Sequence, residues 1–187
     1  MRKMSPANAQ KGARTGLEGE EKQFDEHVLS VDRVARVVKG GRRFRFRALV
    51  AVGDKKGRVG VGSAKGADVT AAITKAVEIA KKDMVKISIY NGTLPHEATA
   101  KVGGAHILIK PASQGTGLIA GGVVRTVLEA VGVSNALSKS LGSSNKTNTA
   151  YATVAALISI KPSKLWVTTK RAGKSPAKKA VKTLKKA

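Results

Sequence analysis

The chain contains no cysteine, so disulfides, thiolate metal ligands and a thiol nucleophile are excluded, and a reducing compartment is permitted. Aromatic residues make up only 3% of the sequence, so any core must be built from Val, Ile, Leu and Ala. Acidic residues are scarce, 12 against 35 Lys and Arg, and none follows Glu129. Half of these acids precede Asp54, which leaves few pairs for carboxylate catalysis. No apolar run is long enough to cross a bilayer. No basic amphipathic helix with bulky apolar residues opposite stands out either, so a membrane partner is not expected. Arg2 and Lys3 are not followed by a hydrophobic segment, which is unlike a secretory signal, and Glu18, Glu20 and Glu21 are unlike an acid-poor transit peptide.

What is present is positive charge. The formal net charge is +23 over 187 residues, with a pI near 10.7. Such an excess repels itself in a compact state unless a polyanion neutralises it, and nucleic acid is the first candidate. The charge is densest from Lys39 to Arg47, which reads Lys-Gly-Gly-Arg-Arg-Phe-Arg-Phe-Arg. Side chains on a strand alternate between faces. Phe44 and Phe46 are therefore expected to share a face that packs on a core, and Arg43, Arg45 and Arg47 the opposite one. A row of guanidinium groups calls for counter-anions, and the planar fork of arginine suits phosphate. Lys39, Gly40, Gly41 and Arg42 form the loop leading in, open to close backbone approach. The bland alternative is an edge strand kept soluble by its charge.

The remaining pattern predicts two α+β units. Met1 to Gln23 is a polar arm without hydrophobic period, expected to be disordered. Strands are expected over Val28–Val38, Phe44–Val52 and Arg58–Gly62, with a turn at Gly53–Gly57, followed by a helix over Ala67–Lys82 striped by Val69, Ala72, Ile73, Ala76, Val77 and Ala80. Met84–Tyr90 reads as a further strand and Asn91-Gly92 as a turn. The second unit has strands at Glu97–Val102, Ala105–Lys110 and Val133–Leu141. Its helices are a segment ending near Val131 and Asn145–Ile160, the latter striped by Ala150, Val154, Leu157 and Ile158 and stopped before Pro162. The division is 1–23 arm, 24–90 first α+β domain, 91–162 second α+β domain, and 163–187 a basic tail suited to polyanion contact.

Sites of chemistry are weak. Gly115-Thr116-Gly117-Leu118-Ile119-Ala120 fits G-x-G-x-x-A, but Pro111 precedes it and no ribose-binding acid follows. The glycines still allow something to approach the backbone, and the helix N-terminus beyond them favours an anion or a capping partner. His27, His96 and His106 have no metal-ligand spacing. His96 beside Pro95 is expected to be a turn residue with a structural hydrogen bond, and Ser143-Ser144-Asn145 a helix cap. No enzyme, cofactor or metal is expected.

In order along the chain come Val31-x-Arg33-Val34, Lys39-Gly40-Gly41-Arg42-x-Phe44-x-Phe46, Val52-Gly53-Asp54-x-x-Gly57-x-Val59-Gly60-x-Gly62, Asn91-Gly92-Thr93-x-Pro95-His96, Pro111-Ala112-x-x-Gly115-Thr116-Gly117-x-x-Ala120-Gly121-Gly122 and Gly142-Ser143-x-Asn145-x-x-Asn148. Through this set, spanning about Val28 to Ile160, the sequence resembles the bacterial-type small-subunit ribosomal protein five family. The resemblance implies a first domain like a double-stranded-RNA-binding fold, a three-stranded sheet plus helix. Gly60-x-Gly62-Ser63-x-Lys65 stands before that helix, and Gly66 replaces the second lysine usual there. It implies a second domain containing a βαβ unit with a left-handed crossover, against the general rule, in a sheet with two helices.

It further implies a structural constituent of the small subunit, in the cytoplasm, that binds small-subunit ribosomal RNA and supports assembly, accuracy and the messenger RNA entry path. Small-subunit ribosomal proteins three, four and eight are the implied neighbours. The candidate RNA contacts are Arg33, Arg36, Lys39, Gly40, Gly41, Arg42, Arg43, Arg45, Arg47, Lys55, Lys56, Arg58 and Lys65. The candidate protein interface is Gly115, Thr116, Gly117, Gly121, Gly122 and Arg125, matching the contact with protein four. The Lys39–Arg42 loop matches the segment bordering the spectinomycin site. A free-standing RNA chaperone and a nucleotide-dependent enzyme are the competing readings.

Overall fold

A computed structural model describes residues 24–161. The expected arm at 1–23, the basic tail at 163–187 and Pro162 lie outside the described residues. The elements are β1 (Asp25–Val38), β2 (Gly41–Gly53), β3 (Arg58–Gly66), α1 (Val69–Lys82), β4 (Val85–Lys86), β5 (Ala98–Val102), β6 (Ala105–Pro111), β7 (Leu118–Ile119), α2 (Gly122–Val131), β8 (Ala136–Ser140) and α3 (Lys146–Ser159). They form two four-stranded sheets, ordered β1-β2-β3-β4 and β5-β6-β8-β7. The first sheet is antiparallel throughout. In the second, β7 and β8 pair parallel through α2, a βαβ unit.

Alternation along β2 sorts its side chains to two different cores. Ala48, Val50 and Val52 face α1, where Ala72, Ala76 and Ala80 meet them. Leu49 and Ala51, with Val59 and Val61 of β3, join the residues of α2, α3 and the second sheet. The layers thus run helix, sheet, helix pair, sheet, and the first sheet is buried on both sides. The two units expected from the sequence are therefore joined through the second of these cores, while the α1 core belongs to the first unit alone.

The α1 face is built for close approach. A Cβ added at Gly60 would lie 2.0 Å from the Ala80 carbonyl oxygen, and one at Gly62 would lie 2.2 Å from that of Ala76. At Gly66 it would lie 2.6 Å from the Ala72 nitrogen. Alanines four apart on the helix thus sit on glycines of β3, and the backbones come within a distance that no side chain allows. Gly66, which stands where the second lysine of the resembling motif would be, is the first contact of this row.

Several boundaries differ from those read in the sequence. β1 begins at Asp25 and carries a bulge between Val28 and Ser30, a device that bends and twists a strand. β3 continues to Gly66, and the strand expected over Met84–Tyr90 shrinks to Val85–Lys86, a fourth strand on the first sheet. β8 covers only the middle of Val133–Leu141, and Leu118–Ile119 forms a strand inside the glycine-rich loop. On α3, Thr149 and Thr153 are buried while Ile158 is 54% exposed. Thr153 Oγ1 donates to the Thr149 carbonyl at 2.7 Å, which satisfies the hydroxyl within the helix and lets a polar stripe face inward.

Candidate nucleic-acid interface

β3 pairs with β2 only from Phe46 onward. From Val34↔Arg45 to Val38↔Gly41, β1 and β2 form a two-stranded ribbon that projects past the sheet. At about 3.4 Å per residue these five rungs extend roughly 15 Å. Lys39 and Gly40 make the turn, and Gly40 has φ +90°. No acid occurs between Arg33 and Gly53.

Residues opposed across an antiparallel ladder share a face. Arg36 opposes Arg43, Val34 opposes Arg45, and Asp32 opposes Arg47, which in turn opposes Lys65 on β3. One face therefore collects Arg36, Arg43, Arg45, Arg47 and Lys65. Arg36, Arg43 and Arg45 with Lys65 line a cleft of about 420 Å³, floored in part by Val34 and Val38. Arg47 donates to Asp32 Oδ2 at 2.7 Å. The other four cations of this face have no ion pair among the described residues.

The opposite face carries Arg33, Ala35, Val37, Arg42, Phe44 and Phe46. Phe46 packs toward the α1 core as expected. Phe44 does not: it stands 49% exposed on the projecting ribbon, with the Arg33 guanidinium 3.7 Å from its ring centroid. The sheet ends before a core can reach Phe44, so the arginine covers it instead.

Lys55, Lys56 and Arg58 lie at the far end of β2 from the ribbon tip. Lys55 pairs with Asp25 at 2.5 Å and Arg58 with Asp54 at 2.7 Å. The Lys55 hydrogen bond and charge hold the Asp25 carboxyl below its ordinary value, and Asp25 raises Lys55 in return. Burial pushes Asp54 up. The Arg58 side chain and the Arg58 and Lys56 backbone N–H groups outweigh it and leave the carboxyl lowered. The backbone here meets α2: Lys55 N–H donates to the Ala130 carbonyl and Gly57 N–H to that of Val131. Gly132, at φ +93°, lets the helix end against the Lys55 carbonyl. These cations thus sit at the junction of the two units, apart from the ribbon.

The expected protein-interface residues come together in one exposed loop and the first turn of α2. A Cβ at Gly115, Gly117, Gly121 or Gly122 would meet open space. Thr116 Oγ1 is 3.0 Å from Ser113 Oγ, and Arg125 donates to Glu129 at 3.0 Å. The loop is anchored from below by Asn135, whose Oδ1 accepts from Gly117 N–H at 3.0 Å and whose carbonyl accepts from Thr93 Oγ1 at 2.7 Å. The G-x-G-x-x-A stretch is interrupted by β7, so it is not a strand-to-helix phosphate turn.

His96 and Asn145 behave as the sequence predicts. His96 Nδ1 hydrogen-bonds the Glu97 carbonyl, and Nε2 accepts from Lys161 N–H at 3.0 Å. Asn145 caps α3 by accepting from Thr147 N–H. The described residues contain no group of three or more His, Cys, Asp or Glu that could hold a metal ion. No helix among them is long and apolar enough to cross a membrane.

Two features escaped sequence reading. The motif before the helix marks Lys65 as a candidate contact but not its place on β3, where strand pairing sets it beside Arg47. The outer face of the second sheet carries Leu108, Lys110, Ile119, Leu137 and Lys139 around a shallow cavity of about 190 Å³. The alternation Leu108-x-Lys110 and Leu137-x-Lys139 was its signal.

Residues 24–88 match the family model of ribosomal protein S5, N-terminal domain, and residues 100–169 that of ribosomal protein S5, C-terminal domain. The chain belongs to the ribosomal protein S5 family. It is 48% identical over 143 residues to the small ribosomal subunit protein uS5 of Bacteroides thetaiotaomicron, covering 76% of this chain and 83% of that protein. It is 50% identical over 135 residues to the uS5 of Bacteroides fragilis, covering 72% and 78%. The S5 family is structural, and the α+β fold in two family segments is the one that the resemblance implied.

Proposed function

We propose that this chain is an architectural constituent of the small ribosomal subunit that grips its ribosomal RNA with the β1–β2 ribbon. Its place is the ribosome in the cytoplasm. The observation that carries this reading is the face where Arg36, Arg43, Arg45 and Lys65 converge on one cleft without carboxylate partners. Three unneutralised arginines on a projecting arm and Lys65 at its base suit closely spaced phosphates, read by RNA shape rather than base sequence. Arg47, half committed to Asp32, supports the same face. Lys39, Gly40, Gly41 and Arg42 bring the backbone of the tip to the RNA. Lys55, Lys56 and Arg58 offer a second, weaker contact beside the junction. No catalytic role is assigned.

The exposed loop at Gly115–Gly117 and the first turn of α2, with Gly121, Gly122 and Arg125, form the contact with small-subunit protein four. Proteins three and eight are further neighbours, and the chain borders the messenger RNA entry path. We divide the chain at 24–90 and 91–162 for these two tasks.

Sedimentation of a lysate in high-salt sucrose tests the main reading. The chain is expected with the small subunit, and its recovery at the top of the gradient would instead favour a free RNA chaperone. Replacing Arg43, Arg45 and Arg47 by alanine should weaken binding and flatten its salt dependence. A decoding reporter carrying Gly117→Arg tests the protein-four contact, and wild-type accuracy would count against it.

A further inference from the structure

The phenylalanine face of the ribbon carries an exposed apolar strip that phosphate binding does not use. Phe44 is 49% and Val37 74% exposed, and Ala35 lies directly across from Phe44. Arg33 and Arg42 flank this strip on the same face, and neither has an ion pair among the described residues. An exposed aromatic beside exposed aliphatics is the informative exception on a soluble surface. Arg33 reaches Phe44 as a diagonal neighbour and sets its guanidinium carbon 3.7 Å from the ring centroid. Both residues remain exposed, Phe44 at 49%. A flat π-system carrying negative charge fits such a place, and unpaired nucleotides are read in just this way, on aromatic rings and guanidinium planes.

We propose that Arg33 and Phe44 form a base-stacking platform, on which one unpaired nucleotide of the small-subunit RNA lies while Arg42 meets its phosphate. The inference rests on the RNA-binding reading above and adds a second mode to it. The ribbon is gripped on both faces, phosphates on one and a splayed base on the other. Arg33 is then a stacking residue and not a phosphate contact. Charge complementarity favours RNA over an apolar protein surface, because the strip lies on a stretch without acids and between two guanidinium groups.

The test uses the full chain and small-subunit particles from which it has been removed. Three variants are compared with wild type: Phe44→Leu, which keeps apolar bulk, Arg33→Lys, which keeps charge, and Arg43→Ala. Phe44→Leu and Arg33→Lys should each bind about tenfold more weakly or worse with an unchanged salt slope, the scale of one lost base stack. Arg43→Ala should flatten the slope. Ultraviolet cross-linking of the wild-type complex should attach a nucleotide to the Phe44 peptide. The platform is overturned if Phe44→Leu binds as wild type does, or if that peptide cross-links a protein and no nucleotide. If wild type itself fails to bind the particles, the RNA-binding reading falls and the platform with it.

Discussion

Arg36 and Arg43 face each other directly across the β1–β2 ladder, and neither has an ion pair among the described residues. Like charges opposed on a sheet destabilise it by about 0.2–1 kcal/mol. Arg43→Thr should therefore stabilise the free chain by a few tenths of a kcal/mol, roughly that range. It should at the same time weaken binding to small-subunit RNA and reduce the slope of log K against log salt by about 0.7–0.9. Thermal unfolding and a salt titration on one protein preparation check both. A variant that loses stability and keeps its slope would contradict the assignment.

The row of small residues between β3 and α1 makes an opposite prediction. A side chain at Gly60 must displace the Ala80 carbonyl, which it would approach to 2.0 Å. Gly60→Ala should cost about 3 kcal/mol, the upper end of the overpacking range. Gly122→Ala, where the added carbon meets open space, should change stability by less than about 0.5 kcal/mol. Chemical denaturation of the two variants separates close packing from a general intolerance of glycine replacement.

Asp54 links the β2–β3 turn to acid. Its side chain is 5% exposed and bonded to Arg58 at 2.7 Å, and its carboxyl lies below the ordinary value. Ionised Asp54 contributes stability above the unfolded aspartate value, about 3.9, and that contribution is lost as pH falls through the lower folded value. Wild type should be more stable than Asp54→Asn at pH 7, with the gap closing below about pH 4. Denaturation midpoints across that range measure it, and a gap that is constant with pH would refute the linkage.

Asn135 holds the glycine-rich loop through Gly117 N–H at 3.0 Å. Asn135→Ala removes this acceptor and should cost about 1 kcal/mol. Hydrogen exchange should show lost protection at Gly117 and retained protection along β3. Uniform loss across the chain would mean that Asn135 supports the whole fold.

Local pattern made most elements legible in the sequence. Alternation gave β2, the alanine and valine spacing gave α1, and Asn145 marked the start of α3. What periodicity could not show was which core each face meets. Val59 and Val61 look like one side of a simple meander, yet they bury against α2 and α3, while Gly60 and Gly62 look like spacers and are the floor for α1. The β7 strand was invisible because two residues in a glycine-rich run carry no period. In the ribbon, alternation correctly separated the phenylalanines from Arg43, Arg45 and Arg47. It did not reveal that Phe44 lies beyond the reach of the core, because that depends on where β3 stops.

The helix pair buried between the two sheets has a further consequence. The stretch around residues 90–97 looks like a hyphen between two words, but the words share their letters. A chain cut there would leave Leu49, Ala51, Val59 and Val61 facing water on one fragment, and Val127, Leu128 and Ala130 on the other. The ribbon proposed to hold RNA and the loop at Gly115–Gly117 are thus mounted on one continuous packed core. The segment between them is therefore no free hinge, because the surfaces on either side of it are buried against each other.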